Sequence, residues 1–174
     1  MKTTIFLIIL FLSATFAFGQ KSKVAGYKIR AAKGAVTVTF RGKAHWLNVR
    51  EKIDAARVTE TELLFANEKD GFRYLLMDVS GWSREQQNDR QCGAGVESNL
   101  IWVKLDAAWK ILDVQAARYE SCWSVENLNG DFNVTKDSLY IEYFTKGDNL
   151  AKLTYTASEP EKGLQITEVP YKSK

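Results

Sequence analysis

The chain has 174 residues, of which 45% are hydrophobic, 26% charged and 12% aromatic. This composition excludes a disordered, collagen-like or low-complexity protein, because it supplies enough apolar surface for a folded core. The formal net charge is only +3, and we interpret the basic residues as scattered among acidic ones instead of forming a stripe. Nucleic acid is therefore not expected as a partner.

The first nineteen residues have the layout of a secretory signal peptide. Lys2 precedes an apolar run from Ile5 to Phe18, and the small residue Gly19 stands directly before Gln20. The run is shorter than the roughly 20 residues that a helix needs to span a bilayer. We therefore predict a signal peptide over 1–19, a single domain over 20–174, and a periplasmic or secreted protein without a stable membrane span after cleavage of the leader.

Apolar and polar residues alternate along most of the mature chain, and the alternating segments are rich in Val, Ile, Thr, Tyr, Phe and Trp. This period and these residue types predict β-strands. In chain order the predicted strands cover 27–30, 36–41, 44–49, 62–66, 72–79, 100–105, 109–117, 139–144, 150–157 and 164–169. One helix is predicted, over 49–58, and the competing interpretation of this segment is an irregular link between strands. The sequence thus predicts an all-β fold, an antiparallel meander of about eight to ten strands that forms a single barrel or sandwich.

The two cysteines are predicted to form a structural disulfide. If the segments 100–105 and 109–117 pair about a turn at Ala107, then Leu100 faces Val114, and the same register places Cys92 opposite Cys122. A bridge that closes about 30 residues stabilises a fold by about 3 to 4 kcal/mol in the chain-entropy model. A redox thiol is not expected, because the sequence has no Cys-x-x-Cys spacing. A zinc site is not expected either, because two cysteines and one histidine supply too few ligands with a recognised spacing. No metal and no cofactor are predicted.

A long polar connection over 80–98 separates two of the predicted strands. Connections of this length in compact domains are often functional, and Trp82 within it and Trp123 after Cys122 could present aromatic rings to a partner. We therefore expect the protein to act by binding an extracytoplasmic protein or a small ligand, and not as an enzyme. No oligomeric state follows from the sequence.

A hydrolase is the alternative from a different class. His45 could serve as a general base, and Glu97, Asp113 and Glu120 could supply a pair of carboxylates across a cleft. No local motif provides a nucleophile or an orienting acid for His45. We expect the carboxylates to be solvated charges on strand faces.

The segment from Ser138 to Asp148, which reads Ser-Leu-Tyr-Ile-Glu-Tyr-Phe-Thr-Lys-Gly-Asp, resembles the carboxyl-terminal signature of the periplasmic C-type lysozyme inhibitors. In that family an aromatic-Ser/Thr-Lys-Gly run ends a strand of a small β-barrel. The resemblance implies that Thr145 and Lys146 would contact the acidic cleft of lysozyme, and it makes a lysozyme inhibitor a further alternative.

Overall fold

The fold is all-β. The computed structural model describes residues 24–32, 35–53, 55–84, 95–124, 127–145 and 149–171, and no α-helix occurs in these ranges. The strands are β1 (Tyr27–Ala32), β2 (Ala35–Phe40), β3 (Lys43–Leu47), β4 (Ala55–Lys69), β5 (Phe72–Ser83), β6 (Val96–Leu105), β7 (Ile111–Ser121), β8 (Asn127–Val134), β9 (Ser138–Thr145), β10 (Asn149–Thr156) and β11 (Gln165–Pro170). Two short 3-10 turns cover Arg50–Lys52 and Pro160–Lys162.

The strands form three antiparallel sheets with the orders β1-β2-β3, β4-β5-β6-β7 and β11-β10-β9-β8. We call them the first, central and last sheets. None of the three closes into a barrel within the described ranges, so the predicted single barrel or sandwich is not confirmed. No helix long and apolar enough to cross a membrane is found in the part of the chain that the structure describes.

Two hydrophobic cores lie on opposite faces of the central sheet. Side chains alternate between the faces of a strand, so Leu75 and Ile101 point to one face whereas Leu76 and Trp102 point to the other. The first face packs against the first sheet through Ile29, Val36, Val38 and Leu47. The second face packs against the last sheet through Leu139, Ile141, Tyr143, Ala151, Leu153 and Tyr155. The indole N–H of the buried Trp102 donates to the carbonyl oxygen of Pro160 at 3.0 Å.

The predicted helix over 49–58 is wrong. Its beginning is a single 3-10 turn, and its second half already belongs to β4, which is 15 residues long. Three register shifts interrupt the pairing of β4 with β5. Each bulge breaks the alternation of apolar and polar residues, which is why only the middle of β4 is predicted from the sequence. β8 is also missed, since its asparagine-rich sequence is typical of a turn.

The register predicted for the β6–β7 hairpin is wrong by three residues. Leu100 faces Ala117 and not Val114. The reason lies in the turn: a carboxylate oxygen of Asp106 accepts the backbone N–H groups of Ala108 and Lys110 at 2.9 and 2.8 Å, and Trp109 adopts a left-handed backbone with φ of 68°. Trp109 therefore belongs to the turn, and β7 begins only at Ile111.

Candidate functional site

A cleft of about 750 Å³ opens between the first sheet and the start of β4. Its volume is in the range of small-molecule sites. The residues that line it are Ala31, Arg50, Ile53, Ala55, Ala56, Arg57, Val58 and Thr59. The two charged side chains in this set are both arginines, and neither guanidinium forms a salt bridge with another residue that the structure describes. The cleft thus combines an apolar wall with two cations available to a ligand.

A row of exposed side chains crosses the same end of the central sheet, on the face that is turned away from the first sheet. Arg57 faces Trp82, and Trp82 faces Val96, in the registers of β4 with β5 and of β5 with β6. Directly opposed side chains on neighbouring strands are in contact distance. Trp82 is 48% exposed and Val96 is 40% exposed. The row therefore offers an aromatic and an aliphatic surface beside an arginine that also lines the cleft.

The position of Trp82 differs from the prediction in one respect. The residue is accessible, as expected, but it belongs to β5 and not to the long connection, because the strands continue to Ser83 and begin again at Val96. Pairing within the sheet fixes the backbone of Trp82, so its ring is presented from a rigid element. Residues 85–94, the middle of the predicted binding loop, lie outside the described ranges.

Glu97 lies beside this row and is completely buried, at 0% exposure, so the expectation of a solvated surface carboxylate is wrong. Its Oε1 atom accepts the hydroxyl of Ser83 at 2.7 Å and the backbone N–H of Cys122 at 3.2 Å. One carboxylate therefore joins the end of β5, the start of β6 and the residue after β7. Its Oε2 atom has no hydrogen-bond partner among the described residues.

Asp78 heads a second polar network, on the face of the central sheet that packs against the last sheet. The hydroxyl of Tyr119 donates to both carboxylate oxygens of Asp78, at 3.0 and 3.1 Å. Burial raises the pKa of Asp78 to about 6, and the negative charges of Glu62 and Glu120 add to the increase, whereas the hydrogen bond from Tyr119 opposes it. Burial also raises the pKa of Tyr119, and the negative charge of Asp78 raises it further.

A hydroxyl relay extends this network along the sheet. The side chain of Ser80 donates to that of Ser98 at 3.1 Å, and Ser98 donates to Glu120 Oε2 at 3.0 Å. Glu97 and Glu120 are therefore not a catalytic pair, because Glu120 contacts Ser98, and adjacent residues of one strand point to opposite faces. The remaining candidate, Asp113, is exposed and caps the backbone N–H of Val114 at 2.8 Å.

His45 is held in an aromatic stack, and burial lowers its pKa, helped by the positive charges of Arg73 and Lys43. The imidazole lies parallel to the ring of Trp109 with centroids 3.8 Å apart. Arg73 lies over the same indole at 4.5 Å and donates to Glu68. These contacts describe a packed cluster around the β6–β7 turn, in which arginine and indole stack as a cation–π pair.

The predicted disulfide stays a prediction, because Cys92 lies outside the described residues. The predicted register, which places Cys92 opposite Cys122, is not observed, since the β6–β7 ladder ends with Glu97 opposite Ser121. Trp123 is only partly exposed, and its indole N–H is buried without a described hydrogen-bond partner. Its backbone N–H donates to Ser121 Oγ at 3.2 Å.

The two residues drawn from the lysozyme-inhibitor resemblance are separated by the limit of the described chain. Thr145 ends β9, and its hydroxyl oxygen is buried with no described partner. Lys146 lies outside the described residues. In the ranges covered by the structure, no group of three or more His, Cys, Asp or Glu side chains has a metal-binding arrangement.

Sequence reasoning identified Trp82 but missed Arg50, Arg57 and Val96. Arg50 and Arg57 lie near the two ends of the segment 49–58 that the sequence predicts as a helix, and a helix there would separate Arg57 from Trp82. The signal that could have found them is the pair of small residues Ala55 and Ala56, because small side chains at the start of a strand leave room for a cleft. Comparisons with protein-family models, with curated proteins and with solved structures returned no match.

Proposed function

We propose that this protein is an extracytoplasmic binding domain, in which three stacked sheets form one unit and the cleft beside β4 takes an anionic ligand with an apolar part. The observation that carries the proposal is the pairing of Arg50 and Arg57 with an apolar wall in a cleft of about 750 Å³. Arginine binds carboxylate and phosphate groups through paired N–H donors. The apolar wall would bury the remainder of the ligand.

Trp82 supports the same assignment. Its ring is 48% exposed and stands next to Arg57 on the face of the central sheet that is turned away from the first sheet. A ligand chain that leaves the cleft around the edge strand β4 therefore meets an apolar surface on a rigid strand. A tryptophan loses little conformational entropy when it contacts a ligand, because its side chain has only two rotatable bonds. Arg57 would hold the charged end while Trp82 and Val96 cover the apolar end.

The test uses laurate as the probe, below its micellar concentration, and dodecanol as its uncharged match. We expect laurate to bind the mature protein and to change its tryptophan fluorescence, whereas dodecanol binds at least about tenfold more weakly, because the alcohol cannot pair with guanidinium groups. The double substitution Arg50→Gln/Arg57→Gln should remove most of this preference. Trp82→Phe should keep the affinity and abolish most of the fluorescence change.

The control is Lys110→Gln/Lys136→Gln, which removes the same net charge from exposed positions outside the cleft. Equal affinity for laurate and dodecanol would contradict the proposal. So would a loss of binding in the lysine control as large as that in the arginine variant, because the effect would then come from net charge alone.

A further inference from the structure

The basic residues are segregated along the chain, contrary to our interpretation from composition. The 50 residues before Glu51 contain nine of the 24 lysine and arginine residues and none of the 21 acidic residues, so the remaining chain carries 15 basic and 21 acidic residues. The fold turns this asymmetry into a spatial one, because β1, β2 and β3 all lie within the basic segment. The first sheet contains no acidic side chain.

The outer face of the first sheet can be read from its registers. Ile29, Val38 and Leu47 point into the core, so their neighbours point outward. Arg30 faces Thr37, and Thr37 faces Trp46, which is 73% exposed. In the next outward row the residues are Lys28, Thr39 and Ala44. We call these six residues the outer basic face.

The outer basic face has a simple layout. The two cations lie on β1, two threonines lie on the middle strand, and Trp46 lies on β3. Neighbouring strands are about 4.8 Å apart, so Arg30 and Trp46 are separated by roughly 10 Å at the backbone. Lys28 and Arg30 are exposed, and no acidic residue in the described ranges neutralises either of them.

We propose that the outer basic face binds an acidic polysaccharide. An indole ring offers a broad apolar surface on which the apolar face of a sugar ring can stack, and its contact costs little entropy. Thr37 is buried, at 8% exposure, whereas Thr39 is partly exposed, so the hydroxyl of Thr39 can donate to and accept from sugar hydroxyls. Lys28 and Arg30, on the edge strand β1, bind the carboxylate of a sugar acid on the same face, across the sheet from Trp46 on β3. This site is separate from the cleft assigned above.

The same face fits two other polyanions less well. A protein that lies on an anionic bilayer inserts several large apolar side chains, and here only Trp46 projects from a floor of threonine and alanine. Non-specific binding of single-stranded nucleic acid uses aromatic side chains that stack successive bases. The outer basic face has a single aromatic residue, so one sugar ring is the better match.

The experiment compares polygalacturonate with its methyl-esterified form, which has the same backbone without the charges. We expect the mature protein to bind polygalacturonate at least about tenfold more tightly than the ester. Arg30→Ala/Trp46→Ala should weaken this binding by about tenfold or more. Lys28→Ala/Arg30→Ala should reduce both the affinity and its dependence on salt, because fewer charges are then screened.

Two controls make the result specific. Lys110→Ala/Leu112→Ala removes an exposed cation and an exposed apolar residue near the β6–β7 turn, and it should leave the binding of polygalacturonate unchanged. Arg50→Gln/Arg57→Gln should also leave it unchanged, which separates this site from the cleft. All four variants alter exposed positions, and their melting temperatures should match that of the parent protein.

Equal binding of polygalacturonate by the parent and Arg30→Ala/Trp46→Ala would overturn the proposal. Tighter binding of a single-stranded oligonucleotide or of phosphatidylglycerol vesicles, lost in that same variant, would overturn the assignment to polysaccharide. Equal binding of the acid and the ester would also refute it.

Discussion

Replacing Asp78 with asparagine should stabilise the protein at neutral pH. The pKa of Asp78 is raised from 3.8 to about 6, mainly by burial. A carboxyl group with a raised pKa binds its proton more strongly in the folded state than in the unfolded chain, so the ionised form opposes folding. Asparagine carries no charge, and its side-chain oxygen can still accept the hydroxyl of Tyr119.

The size of the effect follows from the shift. A difference of about 2 pKa units corresponds to roughly 3 kcal/mol at full strength. Asp78 is partly exposed, so solvent reduces this value, and we expect Asp78→Asn to raise the free energy of unfolding by about 1 to 2 kcal/mol at pH 7.5. The unfavourable contribution of ionised Asp78 is fully present above about pH 6, declines as the pH falls towards about 4, and is absent below that.

The assay is urea unfolding followed by tryptophan fluorescence at pH 7.5, 6.0 and 4.5. The difference between Asp78→Asn and the parent protein cancels the titration of the other groups. This difference should be largest at pH 7.5 and smallest at pH 4.5. Asp137→Asn, at an exposed carboxylate, is the matched control and should show no such trend. A variant less stable than the parent at pH 7.5, or a difference that is independent of pH, would refute the reasoning.

Two further substitutions test the end of the central sheet. Glu97→Ala should lower the free energy of unfolding by about 2 to 4 kcal/mol, because it removes the acceptor of the buried Ser83 hydroxyl and of the backbone N–H of Cys122. Glu97→Gln keeps an acceptor and should cost less than half as much, and equal losses in urea unfolding would contradict this interpretation. Gly81→Ala should lower the free energy of unfolding by about 1 to 3 kcal/mol. The added Cβ atom would lie 2.9 Å from the Cβ of Ala55 and would collide with the carbonyl oxygen of Arg57. A melting temperature equal to that of the parent protein would show that β4 does not pass so close to Gly81.

Strands whose alternation is unbroken were predicted well from the sequence. The segments 139–144 and 150–157 correspond to β9 and β10 within one residue at each end. In these strands every second residue is buried in the core between the last and central sheets, so the burial pattern and the sequence pattern coincide. A local signal suffices where the structure is locally regular.

The pairing between strands could not be predicted in the same way. The register of β6 with β7 depends on Asp106, whose carboxylate accepts two backbone N–H groups, and on the left-handed backbone of Trp109. A tryptophan at a positive φ is rare, and its aromatic character favours a strand in any pattern-based reading. The stacking of Trp109 on His45 and Arg73 is a tertiary contact that compensates for this backbone.

In the candidate site, too, some features follow from the local sequence and others depend on tertiary contacts. An exposed Trp82 follows from its polar surroundings in the sequence, but the burial of Glu97 does not, because a glutamate in a strand is normally solvated. Its environment forms only when the ends of β5 and β7 meet the start of β6. The cleft likewise requires β4 to lie beside the first sheet, which residues near Arg57 do not specify on their own.

The distribution of charge connects the two proposed sites. Lys28, Arg30 and Arg50 belong to the segment without acidic residues, whereas Asp78 and its neighbour Glu120 lie on the face of the central sheet that is turned away from the first sheet. The molecule is therefore electrostatically polarised, with its basic end formed by the first sheet. Such a field orients a protein toward a polyanion before contact and raises the association rate at low ionic strength. The Debye length falls from about 30 Å at 0.01 M to about 8 Å at 0.15 M ionic strength. Added salt should therefore lower the association rate constant of a polyanion at the outer basic face by a larger factor than it lowers the affinity of the cleft for a ligand that contacts Arg57.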